Sequence, residues 1–210
     1  MNKYVTEFVG TFFLVLTIGM TVLSGTPFAP IAIGCALMVM VYMGGHVSGA
    51  HYNPAVSLAV LLRGKMSAGD LIPYWIAQIA GAFAAAYVCY LVHGKAFPVA
   101  PGANVSAAKA VSVELLYTFA LALVVLNVAT STKTAGNSFY GLAIGFTVLA
   151  AAYAGGGVSG GAFNPAVGIG PNLVNAMVGG GSLANLWIYL VGPLAGGALA
   201  AGVFKVQDAA

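Results

Sequence analysis

The sequence predicts an all-α membrane protein in which six transmembrane helices and two re-entrant half-helices form an inverted repeat. Hydrophobic residues make up 60% of the 210 residues and charged residues only 5%, whereas a soluble domain carries about 25% charged residues. The apolar residues form six runs separated by short breaks, and about 20 apolar residues are enough to cross a bilayer. A 13-residue motif also occurs twice along the chain.

The composition excludes several classes of protein. The net charge of +3 is too small and too scattered to form a phosphate-binding surface, so we expect no nucleic-acid partner. Cys35 and Cys89 lie inside apolar runs, which is typical of small buried residues rather than of a disulfide framework. The sequence contains no visible nucleophile–base pair or cluster of metal ligands, so we expect no enzyme, no metal site and no cofactor.

Each apolar run is interpreted as one spanning helix, with turn-forming residues in the breaks. The six runs are Tyr4–Ser24, Ala29–Gly45, Leu71–His93, Lys109–Ala129, Ser138–Gly155 and Ser182–Phe204. The first run is taken as a retained helix because it has no clear signal-peptide cleavage pattern. Two further helical segments, Asn53–Leu62 and Asn164–Ala176, are too short to span and are predicted to be re-entrant half-helices.

The basic residues predict the orientation in the lipid bilayer. Six spans place both termini on one side, and Lys and Arg are enriched on the cytoplasmic side. The side of the termini would hold Lys3, Arg63, Lys65, Lys133 and Lys205, and the opposite side Lys95 and Lys109. This bias favours cytoplasmic termini. The very short termini and the absence of a targeting segment suit a multi-pass protein of a prokaryotic inner membrane.

An internal repeat divides the chain. The segment Gly44–Val56 recurs as Gly155–Val167, with nine of 13 aligned positions identical. Upstream of the two motif copies, Glu7 near the start of the first span corresponds to Glu114 near the start of the fourth. Three spans per half is an odd number, so the second half enters from the opposite face and the functional site is expected near the midplane. We predict one transmembrane domain, 1–210, with repeats of approximately 1–105 and 106–210.

Both copies of the motif contain Asn-Pro-Ala, as Asn53-Pro54-Ala55 and Asn164-Pro165-Ala166. Asn is a strong helix N-cap, and Pro is tolerated at the first helical position. Two half-helices that enter from opposite faces would meet N-terminus to N-terminus, so the positive ends of both dipoles would point at the midplane. Such a site would repel cations, protons included, while the two Asn amides donate hydrogen bonds to a passing neutral solute.

These motifs resemble those of the aquaporin, or major intrinsic protein, family over nearly the whole chain. Supporting features are the two motif copies, Trp75-Ile76-Ala77-Gln78 and the segment Trp187–Pro193. The resemblance implies an aquaporin-like fold and a homotetramer with one pore per subunit. It also implies passive conduction of water or small neutral solutes without a cofactor.

The sequence departs from the family at the selectivity filter. Most members carry Arg directly after the second Asn-Pro-Ala, where this chain has Val167. Counting back from the two motifs, the resemblance places the other filter positions at Ile33, Ala152 and Gly161, with a backbone acceptor near Gly160. This set has no charge, no His and no aromatic ring. We therefore expect a wide apolar filter that admits water, polyols such as glycerol, urea, hydrogen peroxide, ammonia or undissociated metalloid acids.

Other polar residues in the spans leave alternatives open. An intramembrane acid is a functional candidate by default, so Glu7 and Glu114 would suit a proton-coupled secondary carrier. The resemblance implies instead that each Glu supports the half-helix of its own repeat, and that His51 lines the pore. A strict water-selective channel is the remaining alternative. Aromatic residues in the spans are expected to face lipid or the protein core, and Tyr4, Trp75, Trp187 and Tyr189 are also candidates for anchors at the membrane interface.

Overall fold

The chain folds into α-helices. The structure, a computed structural model, describes residues 1–208, and no strand occurs in that range. The helices are α1 (Asn2–Ser24), α2 (Ala29–Ser48), α3 (Pro54–Leu62), α4 (Ala68–His93), α5 (Ala107–Thr130), α6 (Tyr140–Ser159), α7 (Pro165–Met177) and α8 (Ile188–Asp208), with a 3₁₀ turn at Thr132–Thr134. Within these residues, six helices are long and apolar enough to cross a membrane, namely all but α3 and α7. The predicted fold class is confirmed.

The short helices α3 and α7 begin in the same way. Asn53 and Asn164 have extended backbones, with φ of −157° and −163°, and each Oδ1 accepts a hydrogen bond of 2.9 Å from the amide two residues on. A Pro follows each Asn at the first helical position, where its missing N–H leaves no bond unmade. The two helices have 9 and 13 residues. A transmembrane helix needs about 20 residues, so neither helix crosses the membrane alone.

The two halves of the chain interlock. α1 packs against α4 and α5 against α8, while α2 packs against α6 across the two halves. The short helix α3 packs mainly against α8, and α7 mainly against α4. Each short helix is therefore held by a spanning helix of the opposite half.

The crossing of α2 and α6 depends on glycine. A Cβ on Gly34 would lie 2.8 Å from the Gly145 carbonyl oxygen, and a Cβ on Gly145 would contact the Gly34 carbonyl oxygen in return. The backbones of α2 and α6 therefore touch directly. Small residues permit this close approach between membrane helices, where dispersion contacts replace the hydrophobic effect as the driving force.

The last helix differs from its predicted limits. The apolar run begins at Ser182, but α8 begins at Ile188, and residues 184–187 form a turn. The Ser182 hydroxyl accepts a hydrogen bond from the Ala184 amide at 3.1 Å, and the Leu186 amide donates to the Leu183 carbonyl. These local bonds compete with helix formation.

Candidate pore

The two Asn side chains of the repeated motif reach across to the opposite loop. Asn53 Nδ2 donates to the Phe163 carbonyl at 2.9 Å, and Asn164 Nδ2 donates to the Tyr52 carbonyl at 2.8 Å. Because each Oδ1 already caps its own helix, these bonds fix both amides. One N–H of each amide is left over and can be donated to a solute in the cavity.

A cavity of about 350 Å³ adjoins the junction of the two motifs, the place where Asn53 and Asn164 bond to the opposite loops. Its wall includes all the predicted filter and pore-lining residues and both motif asparagines, namely Ile33, Ala152, Gly161, Val167, His51, Gly160, Asn53 and Asn164. Pro54, Ala55, Pro165 and Ala166 lie in the first turns of α3 and α7, behind the wall. The described residues that line the cavity include no Lys, Arg, Asp or Glu. The cavity is thus a mainly apolar space with a few fixed hydrogen-bonding groups.

Sequence reasoning did not identify one wall of the cavity. Phe97, Pro98, Val99 and Ala100, in the connection between α4 and α5, all line it. In the sequence this stretch was treated only as a break with turn-forming residues. The signal in the sequence that could have found it is the pair of apolar residues Phe97 and Val99 in a connection rich in Pro and Gly, and both residues are buried in the structure.

The Glu7 carboxyl group bonds to the loop that precedes α3. Its Oε1 accepts hydrogen bonds from Ser48 Oγ at 2.7 Å and from the His51 amide at 2.9 Å. Its Oε2 accepts from the Tyr52 amide at 2.6 Å and from Gln78 Nε2 at 2.8 Å. Glu7 is fully buried. All four partners are donors, so both carboxyl oxygens are used to hold this loop.

Glu114 makes the matching bonds in the second half. Oε1 accepts from Ser159 Oγ at 2.7 Å and from the Ala162 amide at 3.0 Å, and Oε2 accepts from the Phe163 amide at 2.6 Å. Phe163 and its counterpart Tyr52 have left-handed backbones, with φ of 49° and 48°. Such a conformation costs a non-glycine residue about 1 to 3 kcal/mol. The bonds to these two amides help to hold that conformation.

Two tyrosines support the same loops, and one of them corrects a prediction. Tyr74 donates its hydroxyl to the Ser48 carbonyl at 2.8 Å, and Tyr189 donates to the Ser159 carbonyl at 2.6 Å. Tyr189 is fully buried, so it faces the protein core, and the alternative of an interface anchor is wrong. Its ring packs against Gly168 of α7, where a side chain would collide with it. Gly168 and Tyr189 are 21 residues apart in the chain, so the local sequence pattern does not indicate their contact.

His51 lies between two cavities. It contributes to the wall of the central cavity and to that of a second cavity of about 470 Å³, which Lys3, Lys65 and Asp70 also line. Its Nδ1 is 3.0 Å from Ser57 Oγ, and this contact fixes the ring. The end of the molecule that carries Lys3, Lys65 and Asp70 also carries Arg63, whose Nη2 lies 2.9 Å from Asp208 Oδ2. Residues near both termini therefore lie at the same end of the helix bundle.

The chain matches a known protein family over almost its whole length. The family model described as "Major intrinsic protein" matches residues 1–204. Among curated proteins, the chain is 37% identical over 221 residues to "Glycerol uptake facilitator protein-like 6" of Lactiplantibacillus plantarum, covering 99% of this chain and 98% of that protein. It is 36% identical over 216 residues to "Aquaporin NIP1-1" of Zea mays, covering 98% of this chain and 74% of that protein.

A solved structure shows the same fold. The aquaglyceroporin from Plasmodium falciparum matches with a TM-score of 0.87, covering 100% of this chain and 99% of the other. The two sequences are 24% identical. This similarity therefore concerns the architecture of helices and half-helices rather than the solute.

Proposed function

The chain belongs to the major intrinsic protein family, and from this premise we propose that its pore conducts small uncharged solutes larger than water, together with water itself. Members of the family are channels and not enzymes, and this chain is a passive channel for water and small solutes. The proposal concerns the filter. The observation that carries it is the apolar set Ile33, Ala152, Gly161 and Val167 on the wall of the central cavity.

The chemistry of the wall suits a neutral solute with a polar and an apolar side. Aliphatic groups of the solute would pass against Ile33 and Val167, where no charged group is present to bind water tightly. Hydroxyl or carbonyl oxygens of the solute would accept hydrogen bonds from the free N–H groups of Asn53 and Asn164. Glycerol meets both parts of this description, whereas urea and undissociated metalloid acids have no aliphatic groups and suit the pore by their neutrality and their acceptor oxygens. The relative named as a glycerol uptake facilitator supports the same class of solute.

We assign the exclusion of ions to the junction of the two motifs, at Asn53 and Asn164. The N-termini of α3 and α7 meet at Asn53 and Asn164, so two helix dipoles direct partial positive charge toward the cavity. A water molecule that accepts hydrogen bonds from both amides is poorly placed to relay a proton. Since Val167 carries no charge, this junction supplies the electrostatic barrier of the pore.

Val167→Arg tests the filter. We expect glycerol and urea permeability to fall about tenfold or more, an added barrier of about 1.4 kcal/mol, because a guanidinium group would narrow the apolar wall and add a charge. Water permeability should fall less. The measurement is stopped-flow light scattering on proteoliposomes, with sucrose gradients for water and glycerol or urea gradients for solute entry.

Val167→Ala is the control for this substitution, because it changes the same position and keeps the wall apolar. Its solute permeability should equal or exceed that of the parent protein. Rapid water flux without entry of glycerol or urea in the parent protein would contradict the proposal and identify a strict water channel. Solute flux that follows an imposed proton gradient would point to a coupled carrier.

We also propose that four copies assemble in a cell membrane, the inner membrane of a prokaryote, with both termini in the cytoplasm. Large apolar side chains on α2 and α6 are exposed on the single chain and suit contact with lipid or another copy, including Ile31, Val39, Leu142 and Phe146. Native mass spectrometry of the protein released from nanodiscs tests the tetramer. Accessibility of a tag fused after residue 210 in intact cells tests the orientation.

A further inference from the structure

Residues 97–100 of the connection between α4 and α5, here called the cover, line the pore beside the filter. Phe97, Pro98, Val99 and Ala100 line the central cavity beside the filter. The alternating burial of this stretch, with Phe97 and Val99 buried and Pro98 and Ala100 exposed, shows that it lies as an extended cover on the helices. Where this cover lies decides how wide the pore is at that point.

The cover is held by few polar contacts for its length. Pro98 and Pro101 have no N–H to donate. Among the described residues, the backbone of residues 95–101 makes one hydrogen bond, in which the Val99 carbonyl accepts from Asn172 Nδ2 at 2.9 Å. The next bond along the chain, from the Gly102 amide to the Val158 carbonyl, ends the stretch.

Asn172 is placed to make this bond. It lies on α7 and is 7% exposed, and its Nδ2 also donates to the Gly168 carbonyl at 2.8 Å, so both amide hydrogens are used. On its inner side the cover touches the Gly160 backbone, where an added Cβ would lie 2.6 Å from the Ala100 carbonyl oxygen. Movement into the pore is therefore blocked sterically, and movement away from it is opposed by the Asn172 bond.

We propose that Asn172 is a positioning residue for selectivity: through Val99 it holds the 97–100 stretch against the pore and so sets the size of solute that enters. Asn172 does not line the cavity itself. The inference rests on the proposed function only in taking the central cavity as the conduction path. Loss of the bond lets the cover move outward, so the permeability of a bulky solute rises relative to that of water.

The test compares Asn172→Leu, which has a similar size and no donor, with Asn172→Gln, which keeps the amide. Asn175→Leu is the matched control, because it changes the same residue type on the same helix and Asn175 makes no side-chain hydrogen bond in the described chain. Two readouts are used. Stopped-flow light scattering gives the ratio of glycerol to water permeability, and hydrogen exchange in nanodiscs reports the Gly102 amide, which donates to the Val158 carbonyl at the end of the cover.

For Asn172→Leu we expect exchange at the Gly102 amide to rise about threefold to tenfold, because the loss of one net hydrogen bond lets the cover open more often, and the permeability ratio to rise with it. Asn172→Gln and Asn175→Leu should keep the parent values. An unchanged ratio in Asn172→Leu overturns the proposal, whether or not exchange rises, and so does an equal change in Asn175→Leu.

Two further provisions keep the test decisive. If Asn172→Leu does not fold, Asn172→Ser replaces it, because a serine hydroxyl is too short to reach the Val99 carbonyl and removes the same tether. If the parent protein passes water and no glycerol, the proposed solute class fails. The positioning role then requires that glycerol entry appear in the variant, and its absence overturns that role separately.

Discussion

Gly156→Phe is expected to block conduction of water and solutes while leaving the fold intact. Gly156 lies in α6 on the wall of the central cavity, and a Cβ added there would meet no atom within 4 Å. A phenyl group at this position would project into open space, which in this place is the conduction path. Replacing glycine inside a helix also removes a helix-weakening residue, so the helix should be retained.

The measurement is osmotic water permeability and glycerol entry in proteoliposomes. Both should fall about tenfold or more, an added barrier of at least about 1.4 kcal/mol. Gly157→Phe is the matched control, because Gly157 is the next residue of the same helix, has equally open space around its Cβ, and does not line the cavity. Conduction by Gly156→Phe at the level of Gly157→Phe would show that solutes take another route.

Glu114→Gln is expected to destabilise the second half-helix. The carboxyl oxygens of Glu114 accept three hydrogen bonds, from Ser159, Ala162 and Phe163. An amide has one acceptor oxygen, and its NH₂ group would face a donor in place of the second. At least one buried donor is then left unsatisfied, at a cost of about 1 to 3 kcal/mol, and the left-handed backbone of Phe163 loses its support.

The lower stability should appear as a lower melting temperature of the detergent-solubilised protein, followed by size-exclusion chromatography after heating. Glycerol permeability should fall as well, because the loop that Glu114 holds forms part of the pore wall. Asp70→Asn serves for comparison, since it removes a partly exposed ion pair with Lys3 and should shift the melting temperature less. Equal melting temperatures for the two variants would contradict the supporting role of Glu114.

Much of the pore could be predicted by position along the chain. The Asn-Pro-Ala triplets begin α3 and α7 as their capping chemistry predicted. Counting from these triplets placed Ile33 and Ala152, 20 and 12 residues upstream, and both lie on the cavity wall. These offsets are what the family resemblance implies, and helix geometry alone does not give them. The effect of these residues on permeation stays a prediction.

Two features of the last span could not be predicted in the same way. Its apolar composition predicts a helix from Ser182, yet α8 begins at Ile188, after a segment with local bonds such as that between Ser182 and Ala184. The residue type of Tyr189 allows a place at the membrane interface or in the core, and the structure has it buried against α7. Composition indicates that a residue belongs in an apolar region, but not which of the apolar neighbours it will contact.

The sequence by itself determined the number of spans, the two half-helices and their caps, because each depends on local composition or on a motif of a few residues. The assignment of the filter residues rests on the family resemblance and stays a prediction. The family resemblance implied that Glu7 and Glu114 support the half-helices, and only the tertiary structure decided which groups form the supporting bonds. The bonds between Glu7 and Tyr52 and between Asn172 and Val99 join residues 45 and 73 positions apart. Such bonds form once helix packing has brought the groups together, and no local pattern records that arrangement.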